Sequence, residues 1–221
     1  MPKILSVNVS FPKEVDFEGQ KVTTGIFKEP IDGRIMLRTL NLEGDKQADL
    51  TVHGGPDKAV YAYPIEHYEF WLKVFPNMEM PNGMFGENFT TEGLMEAEVN
   101  VGDVFRIGSS KVVATQPRMP CYKLGVKFGR MDVLKKFLAS GRSGIYLKVL
   151  EEGEVGAGDP IIQIKKDTNR VGISDIVKLY ASDREDIKTM RRAVKVEALP
   201  EVWKHYFYEQ IRRVEKKSGQ T

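Results

Sequence analysis

Cysteine and histidine are scarce in this sequence. The 221 residues contain one cysteine and three histidines. A single cysteine excludes an intrachain disulfide and suits a reducing compartment. A zinc site needs several cysteine or histidine ligands at short spacing, and here these residues are scattered along the chain. The scarcity therefore argues against disulfide-rich folds and zinc sites, and it draws attention to the one thiol.

Long apolar segments and an excess of one charge are also missing. No apolar run approaches the roughly 18 residues that a membrane-spanning helix needs, and the apolar segment at the start is too short for a signal peptide. With 33 Lys+Arg against 31 Asp+Glu the net charge is only +2, so no overall field favours nucleic acid or a membrane surface. We therefore expect a soluble cytoplasmic protein that binds neither.

The first two thirds of the chain are predicted to be mainly strands. Lys3–Val9 alternates between apolar and polar residues, and further β-rich runs cover residues 22–27, 34–42, 48–53, 99–108, 111–115, 145–150 and 160–165. Helices are predicted over 64–75, where His67 is interpreted as a surface residue, and over 131–139. About seven short strands separated by glycine turns favour a barrel or a sandwich.

The pattern changes to a helical period after residue 166. The first predicted helix covers residues 173–180. Ser182 and Glu185 have the spacing of a capping box that opens a second helix, and Pro200 opens a third. Together these helices contain about 45 residues, which is near the lower limit for an independent core. We therefore predict a β domain over 1–166 and a three-helix domain over 167–221 that packs on it.

The third of these helices carries an apolar face formed by Trp203, Tyr206 and Phe207. Such a face can pack on the β domain of its own chain or on a second subunit. The sequence therefore leaves open whether the protein forms a homodimer.

The only cysteine, Cys121, lies in a rigid and positively charged stretch. Pro117 and Pro120 precede it and restrict the backbone, and Arg118 and Lys123 flank it. Nearby cations favour the thiolate, which is both a nucleophile and a metal ligand. The alternative is a small buried apolar residue. The setting makes Cys121 the leading candidate for chemistry.

A papain-like protease is a further candidate, because it would need a Cys–His–Asn set and Cys121, His53 and Asn88 are present. However, we interpret the two prolines before Cys121 as evidence against the helix N-terminus that usually activates such a thiol. The sequence therefore disfavours this reading.

A second polar stretch ends the run over 48–53. His53 is followed by Gly54 and Gly55, whose lack of a side chain permits close approach of the backbone to a ligand. Consecutive glycine N–H groups can bind an anion, and Lys58 adds a positive charge. A glycine turn beside a hydrogen-bonded histidine is the simpler alternative. In a third stretch, Glu87 and Asn88 could orient a ligand or satisfy the backbone of a loop.

In order, these stretches resemble the MOSC domain, the C-terminal domain type of molybdenum-cofactor sulfurases. The resemblance covers the whole chain, and its length and helical tail look most like the stand-alone bacterial branch, the YiiM proteins. The matching elements are residues 49–55 with Lys58, residues 86–89, Gly102 with Asp103, and residues 116–123. The combination is specific, whereas no single element would be.

This resemblance implies a mainly β fold with α, in which a MOSC-type β-barrel precedes a small C-terminal three-helix unit. It also implies binding of the molybdenum cofactor (molybdopterin), with Cys121 as the metal ligand. The phosphate and pterin would be held at His53, Gly54, Gly55 and Lys58. Further candidate contacts are Asn88, Arg118 and Arg34.

The implied activity is reduction of N-hydroxylated compounds, including hydroxylaminopurine base analogues. The resemblance also implies an external electron donor, which we expect to be a flavoprotein reductase. The lack of a flavin or haem motif in this sequence agrees with that need. Catalysis would involve Cys121, with His53 as the candidate proton donor.

Two alternatives remain open and a third is disfavoured. Cys121 could carry a persulfide for sulfur transfer, or the chain could bind and insert the cofactor without turnover. A plain interaction domain is disfavoured, because the polar motifs cluster at strand ends, where loops carry functional sites.

Overall fold

The protein is described by a computed structural model over residues 1–46 and 54–218, so the predicted strand over 48–53 and the candidate His53 lie outside the described residues. The strands, in chain order, are β1 Lys3–Val9, β2 Lys13–Phe17, β3 Gln20–Thr24, β4 Glu29–Pro30, β5 Arg34–Leu37, β6 Val60–Pro64, β7 Phe89–Glu92, β8 Val104–Ile107, β9 Ser110–Pro117, β10 Ile145–Glu151, β11 Gly153–Gly156 and β12 Ile161–Lys165. The helices are α1 Glu66–Val74, α2 Tyr122–Phe128, α3 Asp132–Ser140, α4 Ile173–Ala181, α5 Ile187–Ala193 and α6 Glu201–Ser218. A short 3-10 turn covers Pro56–Lys58.

Eight of the strands form one sheet in the order β12-β8-β9-β10-β6-β7-β1-β4. Neighbouring strands are antiparallel except β6 and β7, which are parallel. The sheet curls back on itself, because Ile4 N–H donates to Asp159 O (2.9 Å) and Gly158 N–H donates to Ile4 O (2.8 Å). These bonds join β1 to the turn before β12. The expected mainly β architecture is therefore present, and among the described residues the strand ladder of this curled sheet does not close into a complete barrel.

The C-terminal helices share an apolar core with this sheet. One continuous cluster of buried side chains includes Ile4, Phe89 and Ile145 from the strands and Phe207 and Ile211 from α6. A polar contact joins the two parts as well, because the indole Nε1 of Trp203 donates to Oε1 of Gln116 (2.9 Å). The division of the chain at residue 166 stays a prediction.

A second, mostly aromatic core lies under α1, α2 and α3. The Phe85 ring stacks on the Tyr63 ring at 4.3 Å between centroids, and Trp71 stacks on Phe137 at 5.9 Å. The Nε1 of Trp71 donates to the hydroxyl of Tyr63 (2.7 Å). This cluster fixes the loop that contains Phe85 against the helix that follows Cys121.

Several local predictions are confirmed in type but not in detail. The helix predicted over 64–75 is α1, whereas the strand predicted over 34–42 ends at Leu37, because Arg38 N–H donates to Asn41 O (2.8 Å) in a tight turn. The capping box at Ser182 is wrong, since Asp186 caps α5 by accepting from Thr189 N–H (2.9 Å).

The interpretation of His67 as a surface residue is also wrong. The His67 ring is buried, and its Nε2 lies 2.8 Å from Oε2 of Glu96. The other carboxylate oxygen of Glu96 accepts from Gly144 N–H (2.6 Å). Across residues 1–46 and 54–218, the structure contains no helix with the length and apolar character that a membrane crossing requires.

Candidate functional site

The motif residues meet in a solvent-open cleft beside the end of β9, which we call the cationic cleft. Its walls include Cys121 and five cations, Lys28, Lys46, Lys58, Arg118 and Lys123. Among the described residues that line it there is no carboxylate. The cleft encloses about 80 Å³, which is space for a few water molecules or a phosphate-sized group. Its charge therefore suits an anionic ligand.

Cys121 is half-buried in this cleft and is the N-cap of α2, with an extended backbone at φ −129° and ψ 166°. Its carbonyl accepts from Leu124 N–H (2.9 Å). Our argument against a helix N-terminus at this position is therefore wrong. Pro120 precedes the cap and does not interrupt the helix, because a proline outside the helical turns removes none of its hydrogen bonds. A helix N-terminus and nearby cations both favour a thiolate.

Arg118 is a buried residue that lines the cleft. Its guanidinium donates to Phe85 O and lies over the ring of Tyr61. Burial disfavours the charged form, but Tyr61, Tyr146 and Cys121 outweigh it and raise the Arg118 pKa above its ordinary value. Arg118 therefore remains a cation next to the thiol at every physiological pH.

Residues 83–88, here called the Glu87 loop, hold the carbonyl that Arg118 contacts. The buried carboxylate of Glu87 accepts from Gly83 N–H (2.8 Å) and Phe85 N–H (3.0 Å), and from the hydroxyl of Thr90 (2.9 Å). Burial raises the pKa of Glu87 despite these donors. Of the two roles considered for Glu87, the structure supports satisfaction of the loop backbone.

Asn88 lines the cleft and connects three parts of the chain. Its Oδ1 accepts from Tyr61 N–H (3.1 Å), and its Nδ2 donates to Oδ2 of Asp45 (2.8 Å). Asp45 is buried and forms an ion pair with Lys28, whose pKa is lowered by burial although Asp45 raises it. Asn88 thus positions the Asp45–Lys28 pair in the cleft wall.

Lys58 reaches the cleft from the end of the 3-10 turn. Its N–H donates to Gly55 O (3.1 Å). The turn is fastened to β9, because the hydroxyl of Thr115 donates to Asp57 O (2.7 Å). Burial lowers the pKa of Lys58, whereas Asp57 and Cys121 raise it. Lys58 is therefore a half-buried cation within electrostatic range of the thiol.

The structure brings together four of the predicted site residues, Cys121, Lys58, Asn88 and Arg118. Gly54 and Gly55 lead into the Lys58 turn but are not among the described cleft walls, and His53 is outside the described residues. Arg34 lies elsewhere, on the exposed edge of β5, where it forms a bidentate pair with Asp159 at 2.9 Å.

Sequence reasoning did not single out several residues that line the cleft, among them the charged and aromatic residues Lys28, Lys46, Tyr61 and Tyr146. Tyr61 and Tyr146 stand within apolar strands. Their mutual ring contact at 5.1 Å follows from the pairing of β6 with β10. This contact could not be predicted from the sequence, because it depends on which strands are neighbours in the sheet.

Among the described residues that line the cleft, Cys121 is the one soft ligand for a metal ion. Within the described part of the chain, no group of three or more His, Cys, Asp or Glu side chains is arranged to hold a metal. A metal bound at Cys121 would therefore need most of its ligands from another molecule.

The MOSC domain matches residues 49–162. The uncharacterized protein YflK of Bacillus subtilis is 40% identical over 204 residues, which cover 92% of each chain. A protein of Gibberella moniliformis named reductase is 31% identical over 153 residues, which are 67% of this chain and 27% of that protein.

A solved structure supports the same relationship. The crystal structure of YiiM from Geobacillus stearothermophilus superimposes with a TM-score of 0.80 at 31% identity, over 96% of this chain and 100% of that one. The agreement includes the C-terminal helices, because it extends well beyond residues 49–162. The chain therefore belongs to the MOSC domain family.

Proposed function

We propose that this protein is a molybdenum-cofactor-dependent oxidoreductase that reduces N-hydroxylated compounds, with Cys121 as the protein ligand of molybdenum. MOSC domains are associated with this cofactor, and one relative is named a reductase. The observation that carries the proposal is the position of Cys121, at a helix N-cap in a cleft with five cations.

The residues of the cleft fit the phosphate and the metal of that cofactor, and a space of about 80 Å³ can enclose the phosphate but not the pterin. Its phosphate is an anion, and lysine and arginine are the usual partners of phosphate. Its dithiolene supplies two sulfur ligands, so that one further soft thiolate from the protein suits the metal. A cleft with many cations and one cysteine meets both requirements without a cluster of metal-ligating side chains.

The bound cofactor would supply the two-electron redox chemistry, and the protein would supply orientation, charge and protons. Reduction of an N-hydroxy compound takes two electrons and two protons, breaks the N–O bond, and releases the amine and water. The electrons come from an external donor, for which we propose a flavoprotein reductase.

Lys58 is the described residue that best fits the role of proton donor. It borders the thiol, and its lowered pKa makes the ammonium a stronger acid than an ordinary lysine. His53 remains a second candidate for this role, as predicted from the sequence.

The test uses a Cys121→Ala variant purified from a host that makes the cofactor. We expect wild-type protein to contain molybdenum and the fluorescent pterin, and to reduce 6-hydroxylaminopurine with reduced methyl viologen as artificial donor. Cys121→Ala should lose the metal and the turnover with an unchanged circular dichroism spectrum. Tyr122→Ala, at an exposed neighbour, is the control. Full activity of Cys121→Ala would refute the proposal.

Sulfur transfer is a second candidate, because Cys121 is accessible enough to carry a persulfide. In that case the intact mass should include one extra sulfur that dithiothreitol removes. Cofactor binding without any turnover would instead indicate a carrier or insertion protein.

A further inference from the structure

Cys121 borders two pockets that are open to solvent. One is the cationic cleft, and the other is a pocket of about 380 Å³ between the end of β9 and the C-terminal helices. The aromatic walls of that second pocket include Tyr180, Trp203 and Tyr206, and Lys58 is the one lysine or arginine among its described walls. Positive charge is therefore concentrated on the side of the cationic cleft, and it continues outside that cleft.

The residues that continue it are three lysines and two phenylalanines at the mouth of the cleft. We call them the basic rim: Lys13, Lys46, Lys127, Phe11 and Phe27. The Nζ atoms of Lys13 and Lys127 lie 4.7 Å and 4.8 Å from the centre of the Phe27 ring. Nζ of Lys46 lies 5.8 Å from the centre of the Phe11 ring. Each aromatic ring of the basic rim is thus in contact with at least one cation.

The backbone places the basic rim beside the cleft. Lys13 lies opposite Thr24 in the β2–β3 ladder, and Thr24 lines the cleft. Phe27 stands in the chain between two residues that also line it. Lys127 follows Lys123, a residue of the cleft, by about one turn of α2. Three separate segments therefore bring their cations to the same mouth.

We propose that the basic rim is the docking surface for the electron donor, and that the donor is a protein with carboxylates around its flavin. This inference rests on the proposed function, and it adds where the donor binds and which charge its surface carries. Two molecules of reduced donor, each oxidised by one electron, would supply the two electrons. Together with two protons these electrons break the N–O bond and release the amine and water.

The charges of the basic rim are available to a partner. Lys13 and Lys127 are not among the described walls of the cleft, so a bound cofactor would not neutralise them. Among the described residues, their ammonium groups contact a ring and have no carboxylate within ion-pair distance. Other surface lysines do have one, such as Lys111, which pairs with Glu151 at 2.6 Å. Carboxylates of a partner could therefore bind Lys13 and Lys127.

The two lysines that contact Phe27 also repel each other. Burial lowers the pKa of Lys127 and the charge of Lys13 lowers it further, whereas Glu87 and Glu29 raise it. A carboxylate on a partner would reduce this repulsion. Complementary charge of this kind steers the encounter of two proteins and fixes their orientation.

The basic rim also suits the short-lived complexes that electron transfer requires. Such complexes have small interfaces, below about 1,200 Å². Phe11 is 61% exposed, and aromatic side chains are enriched at the centres of interfaces. A flavin held at this mouth would be close to Cys121, which is half-buried in the cleft. Electron transfer is faster over a shorter distance, so this face favours rapid reduction.

The experiment reverses two charges of the basic rim in one variant, Lys13→Glu combined with Lys127→Glu. Lys165→Glu combined with Lys166→Glu is the matched control. It changes the net charge equally, and both lysines are exposed and absent from the described walls of the cleft. Each full-length protein, loaded with the cofactor, reduces 6-hydroxylaminopurine with one of two donors. The first is an acidic flavodoxin with its NADPH-dependent reductase, and the second is reduced methyl viologen, which needs no docking surface.

We expect kcat/KM for flavodoxin to fall about 10–100-fold in the basic-rim variant and to stay within about twofold in the control. With methyl viologen both variants should match the wild type. An increase in salt from about 50 to about 500 mM should slow the wild type with flavodoxin, because salt screens the attraction between the two proteins. The basic-rim variant should respond little to salt.

Three results would overturn the proposal. Equal losses in the basic-rim and control variants would mean that net charge alone matters. Equal losses with both donors would mean that the basic rim acts on the cofactor or the fold. A dimeric wild type that the variant converts to a monomer, as measured by light scattering, would make a second copy of the chain the occupant. If the reversed variant does not fold, Lys13→Gln combined with Lys127→Gln replaces it, with an expected fall of about 3–10-fold.

An NMR titration of the ¹⁵N-labelled chain with oxidised flavodoxin separates this inference from the proposed function. If the protein has no reductase activity but flavodoxin shifts wild-type signals and not those of the basic-rim variant, the docking surface stands and the proposed function fails. If the wild type reduces the substrate with methyl viologen but flavodoxin shifts none of its signals, the docking surface alone is overturned.

Discussion

The guanidinium carbon of Arg118 lies 4.8 Å from the centre of the Tyr61 ring. This contact places a permanent cation on the face of a buried aromatic ring, beside the thiol. The Glu87 loop also holds the cation, because the guanidinium donates to Phe85 O. The position of the charge is therefore set by three separate parts of the chain.

Replacement of Arg118 should affect both stability and the ligand. Arg118→Met leaves the Phe85 carbonyl without its donor. This should lower the free energy of unfolding by about 1–3 kcal/mol, as measured in urea titrations. The variant should also contain less molybdenum, because it removes one cation from the proposed cofactor site. Arg142→Met is the control, because Arg142 lies 3.8 Å from the Phe70 ring and is not among the described walls of the cleft. Equal molybdenum loss in both variants would contradict the assigned role.

Substitutions of Lys28 and Asp45, which form a buried ion pair, should have non-additive effects on the free energy of unfolding. Lys28→Met leaves the Asp45 carboxylate buried with donors only from Ser10 N–H (2.9 Å) and Asn88 (2.8 Å) among its described partners. We expect a loss of about 3–5 kcal/mol in the free energy of unfolding. The double variant Lys28→Met with Asp45→Asn should recover much of it, because no uncompensated charge remains. Additive losses in the double variant would exclude the coupling.

Gly86 should tolerate no side chain. It has φ +73°, and an added Cβ would lie 2.6 Å from Cγ1 of Ile26, whereas Gly44, with φ +74°, has open space around it. Both alanine variants carry the left-handed backbone cost of about 1–2 kcal/mol. Gly86→Ala should lose about 1–3 kcal/mol more through overlap, as measured by urea unfolding. Equal losses would show that the Glu87 loop relaxes freely.

Lys58 should control the pH dependence of turnover. The charged form donates the proton, and its pKa is lowered by burial, so the rate should fall as the pH rises through this lowered pKa. Lys58→Arg keeps the positive charge but holds its proton, so it should retain molybdenum while kcat drops by about 10²–10⁴-fold. Lys148→Arg, at a cation that pairs with Asp57 at 3.4 Å, should behave as the wild type. Unaltered turnover of Lys58→Arg would exclude the proton role.

Local sequence patterns were sufficient for β1, β9, β10 and β12 and for the centre of the site, whereas β2, β4, β6, β7 and β11 were not predicted. Alternation predicted β1, and glycine and proline marked the turns at which Lys58, Asn88 and Cys121 lie. Polar motifs at strand ends converge because strands of one sheet end near one another. This is why four predicted residues meet in one cleft.

Local sequence patterns could not predict contacts between residues that are distant in the sequence. Arg34 appeared available for a ligand, but Asp159 binds its guanidinium from 125 residues away. His67 appeared to be a surface residue, but Glu96 permits its burial. The helix after Cys121 was missed because we read the prolines as a barrier, whereas Pro120 lies just before the N-cap. Tertiary contacts outweighed local propensity in the first two cases, whereas the third was a local rule that we applied wrongly.

The thiol has a different neighbourhood on each side, and the two sides are encoded in separate parts of the chain. Cations from residues 28–123 line one side, and residues 180–206 contribute much of the other. Substitutions in the helical tail can therefore alter the surroundings of Cys121 on one side while the cations on its other side stay unchanged.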